Sequence, residues 1–292
     1  MRRETIAIGL AIVLLTVALS SSVGAFPVTV IDDRGQEITI ERSPDRIVAI
    51  GALYAQVVVD LGAIDRLIAI GETEDNPAAV TDLPSVGPTY APNVELILGY
   101  EPDLVLGATD WGGERPALEA AGVTVLTTPL LTSIAAIFET IRVIGASLGA
   151  DENGALLIGR IASEIVEAEA LVLGKPTVAA AFLYATSTDD PPYTAGSGAI
   201  ENELILRAGG TNVFADAAGF PQVSFEEVIE RDPDVIFTAP SQIENIVNNP
   251  FLHGVSAVAS GRVVGIRASV AASTRVAEAL HAMIEALHEV AP

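Results

Sequence analysis

Five aromatic side chains fall in or beside connecting segments: Tyr54, Tyr90, Trp111, Tyr193 and Phe220. In a chain that is only 5% aromatic, that placement is informative. Rigid flat rings at the mouth of a cleft suit a large planar or ring-bearing ligand. Each ring also has a plainer use, sealing the domain that carries it. Covalent chemistry has weaker support. Gly145-Ala146-Ser147-Leu148-Gly149 fits the G-x-S-x-G pattern, but a nucleophilic serine needs a tight strand-to-helix turn. Ile137 to Ile144 read as helix, so the segment reads as a helix end packed on a neighbour; a secreted esterase using Ser147 stays as the enzyme alternative. His253, His281 and His288 lack a metal-ligand spacing, and cysteine is absent, which excludes thiolate metal sites, disulfides and a lipid-modified N-terminal Cys. No phosphate-binding loop or dinucleotide fingerprint is present. The expectation is a binding protein that is not an enzyme, with no resident metal and no covalent cofactor.

Charge narrows the partners. The 292 residues carry 15 Lys+Arg against 38 Asp+Glu, a formal net charge of -23. Such a surface repels nucleic acid and anionic membranes. Lysine occurs once, at Lys175. An acidic, Lys-poor surface suits a high-salt environment, where repulsion is screened; a GC-rich genome would also replace Lys with Arg. Half the residues are hydrophobic and the mean hydropathy is +0.47, so the chain has ample material for a core.

The N-terminus has the form of an export signal. Arg2 and Arg3 precede the apolar run Ile6 to Leu19, and Val23-Gly24-Ala25 offers a small-x-small cleavage site. Residues 1–25 are therefore expected to be a signal peptide, or an uncleaved anchor if they are retained. Either way the protein works outside the cytoplasmic membrane.

The elements that position the rings follow from patterning. Val28–Ile31 and Glu37–Ile40 flank a turn and predict a hairpin. Short apolar runs then alternate with helical patterns. The strands are 46–50, 67–71, 103–107 and 123–128; the helices are 54–61, 93–99 and 115–121. Residues 133–148 and 151–173 read as two consecutive helices, and Gly174-Lys175-Pro176 stops the second. A second series follows, with strands at 177–183, 234–238 and 262–266, a helix at 201–208, and a last helix from near Ser273. This predicts an α/β fold of two Rossmann-like lobes with mainly parallel sheets. The expected divisions are an N-terminal lobe (26–150), a connecting helix (151–173) and a C-terminal lobe (174–292), with a ligand cleft between the lobes. An internal repeat supports the two-lobe reading. Glu95 to Leu106 and Glu226 to Phe237 both read Glu, six residues, Pro-Asp, then three apolar residues.

The combination resembles the class III solute-binding proteins of ABC importers, which capture vitamin B12, ferric siderophores and haem. The resemblance rests on 30–35 with Pro44-Asp45-Arg46-Ile47-Val48, and on 250–252 with 257–263. Pro191 to Gly196, Ala208 to Phe214 and Phe220 to Ser224 are similar to the cobalamin-binding branch. It implies a rigid two-lobe receptor whose lobes are joined by one helix, delivering a corrinoid, or alternatively a ferric siderophore or haem, to a permease dimer. The receptor is expected to be monomeric. Glu95 and Glu226 match the acidic residues that dock such receptors onto permease arginines, although Asn93 and Ser224 also look like helix caps that would favour those carboxylates. Tyr193 and Phe220 match aromatic ligand contacts, and Tyr54, Tyr90 and Trp111 fall near others. Where that branch carries an Asp and an Arg, this chain reads Arg267-Ala268-Ser269 onward without the Asp. Arg267, with Arg115, would meet an anionic chelate.

Overall fold

A computed structural model describes residues 26–108 and 114–288. The expected export signal and Trp111 lie outside the described residues. The chain opens with the predicted antiparallel hairpin of β1 (Val28–Ile31) and β2 (Glu37–Ile40). The N-terminal lobe follows: β3 (Ile47–Ile50), α1 (Ala52–Asp60), β4 (Leu67–Glu72), β5 (Ser85–Pro88), α2 (Val94–Gly99), β6 (Leu104–Ala108), α3 (Glu114–Ala120) and β7 (Val125–Thr128). Its five strands pair in parallel in the order β5-β4-β3-β6-β7. Residues of β3 and β7 are buried throughout, as a sheet covered on both faces requires.

Two helices lead out of this lobe, α4 (Ile134–Leu148) and α5 (Asp151–Ala170). The C-terminal lobe comprises β8 (Val178–Tyr184), β9 (Tyr193–Thr194), α6 (Ile200–Arg207), β10 (Gly210–Asn212), α7 (Phe225–Arg231), β11 (Val235–Thr238), α8 (Ile243–Val247), α9 (Ser256–Ala259), β12 (Val263–Gly265), α10 (Ala268–Ala271) and α11 (Val276–His288). Its parallel strands run β10-β8-β11-β12, and β9 adds to β8 antiparallel. The order matches β4-β3-β6-β7, so the two lobes are built alike. The short edge strands β5 and β10 had no apolar run to announce them.

The sequence repeat is a structural repeat. Glu101 and Asp232, at matched positions, are the only non-glycine residues with positive φ among the described residues, at 47° and 37°. Each ends its helix in a left-handed turn that costs an L-residue about 1–2 kcal/mol, and each precedes a Pro-Asp pair. The two aspartates then make equivalent clips. Asp103 N–H donates to Arg46 O (3.0 Å) while its carboxylate accepts from Arg46 N–H (2.9 Å). Asp234 N–H donates to Ala179 O (2.9 Å) while its carboxylate accepts from Ala179 N–H (3.3 Å).

Helix α5 joins the lobes by burial as well as by sequence. Leu157, Ile161, Ile165 and Ala168 point into a single apolar cluster that takes in Ile47 and Val57 of the N-terminal lobe and Phe237, Leu280 and Met283 of the C-terminal lobe. Gly145 of α4 and Gly154 of α5 face each other closely, so that a Cβ on Gly145 would lie 3.7 Å from Gly154 Cα. That crossing is what the G-x-S-x-G residues serve. Ser147 is fully buried inside α4 and donates to Val143 O at 2.7 Å, so the esterase alternative is excluded by geometry. Polar ties flank the helix. Glu203 of α6 accepts from the Ile134 N–H at the start of α4 (3.0 Å), and Arg207 bridges Glu203 to Glu169 of α5. On the other lobe-to-lobe contact, Thr274 donates to Asp60 (2.5 Å).

Because one core spans both lobes, Ile161→Ala should lower the unfolding free energy by about 2–5 kcal/mol. Denaturant melts should keep a single transition; a separate early loss of one lobe would contradict the continuous core.

Candidate functional site

In parallel α/β sheets, ligands bind beyond the carboxyl ends of the strands. Three such ends converge here. Ala52 and Gln56 follow β3, Glu74 to Ala78 follow β4, and Arg267 to Arg275 follow β12; together they line a cavity of about 120 Å³ between the lobes. Ligand pockets usually run to roughly 300–1,000 Å³, so this cavity forms only one corner of a cleft. Its walls are polar. Arg275 is engaged by Glu278 at 2.6 Å. Exposed Arg267 accepts from the Val270 and Ala271 N–H groups through its backbone oxygen, but it is the one arginine among the described residues whose side chain has neither a hydrogen bond nor an ion pair. Asn76 donates to Gly71 O (2.8 Å), and its Oδ1 is buried without a partner.

The aromatic residues divide. Tyr193 and Phe220 are 46% and 49% exposed and are brought together by a zipper of backbone bonds. β9 places Tyr193 opposite Tyr184 of β8; directly opposed residues of an antiparallel pair share a face. The segment carrying Phe220 is then laid along β9. Thr194 N–H donates to Pro221 O (3.0 Å), Val223 N–H to Pro192 O (2.9 Å) and Gly196 N–H to Gly219 O (2.8 Å). The Phe220 ring meets Tyr184 edge-on, with centroids 6.0 Å apart. Tyr184 was not singled out in the sequence. It lies one residue past the expected strand 177–183, at the end of β8, and only the pairing with β9 reveals it as the backing of the patch. Burial, then the charge of Glu201 and the hydrogen bond to it, push the Tyr184 phenol far above its ordinary pKa. The hydroxyl therefore stays a donor to buried Glu201 (2.7 Å), fixing the ring.

Two expectations are corrected. Tyr54 is only 4% exposed. It lies in α1 on the face that carries Val57 and Val58, and its hydroxyl pairs with Thr128 Oγ1 at 3.0 Å, so it seals its own lobe. Arg115 is equally unavailable. It is buried, donates to Asp32 at 2.5 Å and to Glu119 at 3.0 Å, and lies 3.6 Å from Asp33. Burial alone would raise the Asp32 pKa. Hydrogen bonds from the Gln36 amide, from Arg34 and from Arg115 outweigh it and hold the carboxyl below the ordinary range. This cluster fastens the hairpin to the lobe. Tyr90 is 67% exposed, on the turn after β5.

Glu95 and Glu226 are both exposed in first helical turns. Asn93 Oδ1 caps α2 through Leu96 N–H (3.1 Å), and Ser224 with Glu227 forms a capping box on α7. The caps therefore do not need Glu95 or Glu226. His281 and His288 contact the backbone oxygens of Ala277 and Ala208, and no metal-binding cluster occurs among the described residues.

The family profile described as "Periplasmic binding protein" matches residues 47–270. The chain belongs to this family. As a periplasmic binding protein of the ABC importer type, it is extracytoplasmic, binds a small molecule, works with a permease and is not an enzyme. It is 28% identical over 73% of its length to an uncharacterized ABC transporter substrate-binding lipoprotein, YvrC, of Bacillus subtilis, covering 69% of that relative. It is 27% identical over 90% of its length to a cobalamin-binding protein of Halobacterium salinarum, covering 75% of it. Among solved structures, the apo periplasmic heme-binding protein RhuT from Roseiflexus superposes with a TM-score of 0.75 at 26% identity, over 84% of this chain and 99% of that one. The two-lobe α/β fold is thus shared with solved receptors of the class.

A methyl group added at Gly196 would lie 2.1 Å from Ala217 O. Gly196→Ala should therefore unzip the Phe220 segment from β9, weakening ligand binding at least tenfold with the lobes still folded. Calorimetry alongside circular dichroism checks both; undiminished affinity would mean that the zipper does not shape the site.

Proposed function

We propose that this receptor captures a corrinoid and hands it to the importer. The observation that carries the proposal is the exposed Tyr193–Phe220 patch, backed by a Tyr184 ring that Glu201 holds still. A rigid aromatic wall of this kind suits a broad macrocycle better than a small polar solute. Tyr90 and Trp111 complete the proposed contacts from the N-terminal lobe. The similarity to the cobalamin-binding relative supports the same ligand class. A second reading, haem or a ferric siderophore, is favoured by Arg267. An unpaired guanidinium at the lobe junction suits carboxylates or an anionic chelate. Residues 1–25 serve as the export signal in this proposal, 151–173 as the rigid link between lobes 26–150 and 174–292, and one monomer carries one ligand.

Calorimetric titration with cyanocobalamin, hemin and a ferric hydroxamate discriminates the two. Micromolar or tighter binding of cyanocobalamin, weakened about tenfold or more by Phe220→Ala, is expected. Binding of hemin or the hydroxamate alone, lost in Arg267→Ala, would replace the corrinoid assignment.

Docking is proposed to use Glu95 and Glu226, one carboxylate from each lobe at matched positions. Exposed ion pairs contribute only about 0–1 kcal/mol each, yet two at a fixed separation set register and speed encounter. The Glu95→Arg/Glu226→Arg double variant should abolish uptake and keep ligand affinity within twofold; normal transport would refute the assignment.

A further inference from the structure

The matched acidic feet of the two lobes do not have matched surroundings. Beside Glu226, Phe225 and Phe251 stack with centroids 5.2 Å apart and planes within 11°. Phe251 is 60% exposed, and Ile229, one turn after Phe225, is exposed as well. Helical spacing puts Phe225 and Ile229 on one stripe of α7, with Glu226 and Glu230 on the adjoining one. At the equivalent place before Glu95 the chain has Val94.

The exposed ring is held rather than left slack. Asn249, nearly fully buried, accepts from Phe251 N–H (2.9 Å) and donates to Thr188 O (2.7 Å). Helix α7 is fixed at its start by the Ser224–Glu227 box and at its end by Arg231, which bonds Asp216 at 2.6 Å and lies 4.7 Å over the Phe214 ring. A buried Asn thus supports a ring that faces water, an arrangement that core packing does not call for.

We infer that the Phe225–Phe251 pair is an apolar anchor that inserts into a pocket on the permease beside the arginine that meets Glu226. This rests on the docking reading above. Charge selects the occupant. Exposed Glu226 and Glu230 run along α7 beside Phe225 and Ile229, and the chain as a whole carries a net charge of -23, so an anionic bilayer and a second copy of this chain are both repelled. A protein surface that is basic around an apolar pocket is complementary. Aromatic residues enclosed by a polar rim are the usual energetic centre of such interfaces. Because only one lobe carries the pair, the anchor also distinguishes one end of the receptor from the other.

The test measures binding of the full-length receptor, with and without cyanocobalamin, to its cognate importer in lipid nanodiscs. Phe251→Ala should weaken association at least tenfold, Phe251→Leu less than threefold and Glu226→Arg to below detection. The melting temperature and cyanocobalamin titration of the Phe251 variants should match those of the parent. If Phe251→Ala binds within twofold of the parent while Glu226→Arg fails, the anchor is rejected and the docking reading survives. If both variants bind normally, both are overturned.

Discussion

The whole arrangement depends on one apolar seam. Leu157, Ile161 and Ile165 of α5 lie in a cluster that neither lobe could complete alone. The energetic scale makes this more than a tether, since each fully buried aliphatic side chain contributes about 1.5–3 kcal/mol. Swinging the lobes far apart would return several of them to water. Polar ties act in the same direction. Glu203 lies at the positive end of α4, Arg207 locks it to α5, and Thr274 meets Asp60 across the gap. Large hinge closure needs a few backbone positions free to rotate; a 20-residue helix packed along much of its length supplies few.

Rigidity at the link lets the exposed aromatic patch of Tyr193 and Phe220 be built from short, irregular pieces. β9 is two residues long, and the Phe220 segment has no regular structure of its own. They are precise because they borrow the geometry of β8, itself a central strand, and because Gly196 admits the two backbones to contact. Tyr184 then converts strand position into ring position, with Glu201 fixing its hydroxyl.

Much of this was legible in the residues, and the boundary between what was and was not has a physical cause. Alternating apolar runs and helical stripes located the sheets, and the proline-free run from 151 to 173 located α5, which ends three residues sooner at Ala170. The Glu-to-Pro-Asp repeat proved to encode a matched left-handed turn and backbone clip. Local patterns carry that information because local forces produce it. Tyr54 went astray because the first turn of a helix looks, in sequence, like the end of a loop; only packing against Val57 and Thr128 decides that it turns inward. Arg115 has one partner in sequence reach, Glu119 four residues on, but it looked like a free cation because Asp32 and Asp33, beside which it is buried, lie more than eighty positions away. Tyr184 and Glu201 were missed for the same reason: their role exists only once β9 has folded back. Long-range pairing is where single-sequence patterning is silent.

A stiff link has a consequence for traffic at the importer. If the lobes scarcely move on loading, the helices that carry Glu95 and Glu226, the carboxylates proposed to dock, keep nearly the same spacing whether cargo is present or not. The transporter then cannot sort full receptors from vacant ones by jaw width. Vacant copies occupy the same berth, and overproducing the receptor beyond its cargo supply slows import instead of hastening it.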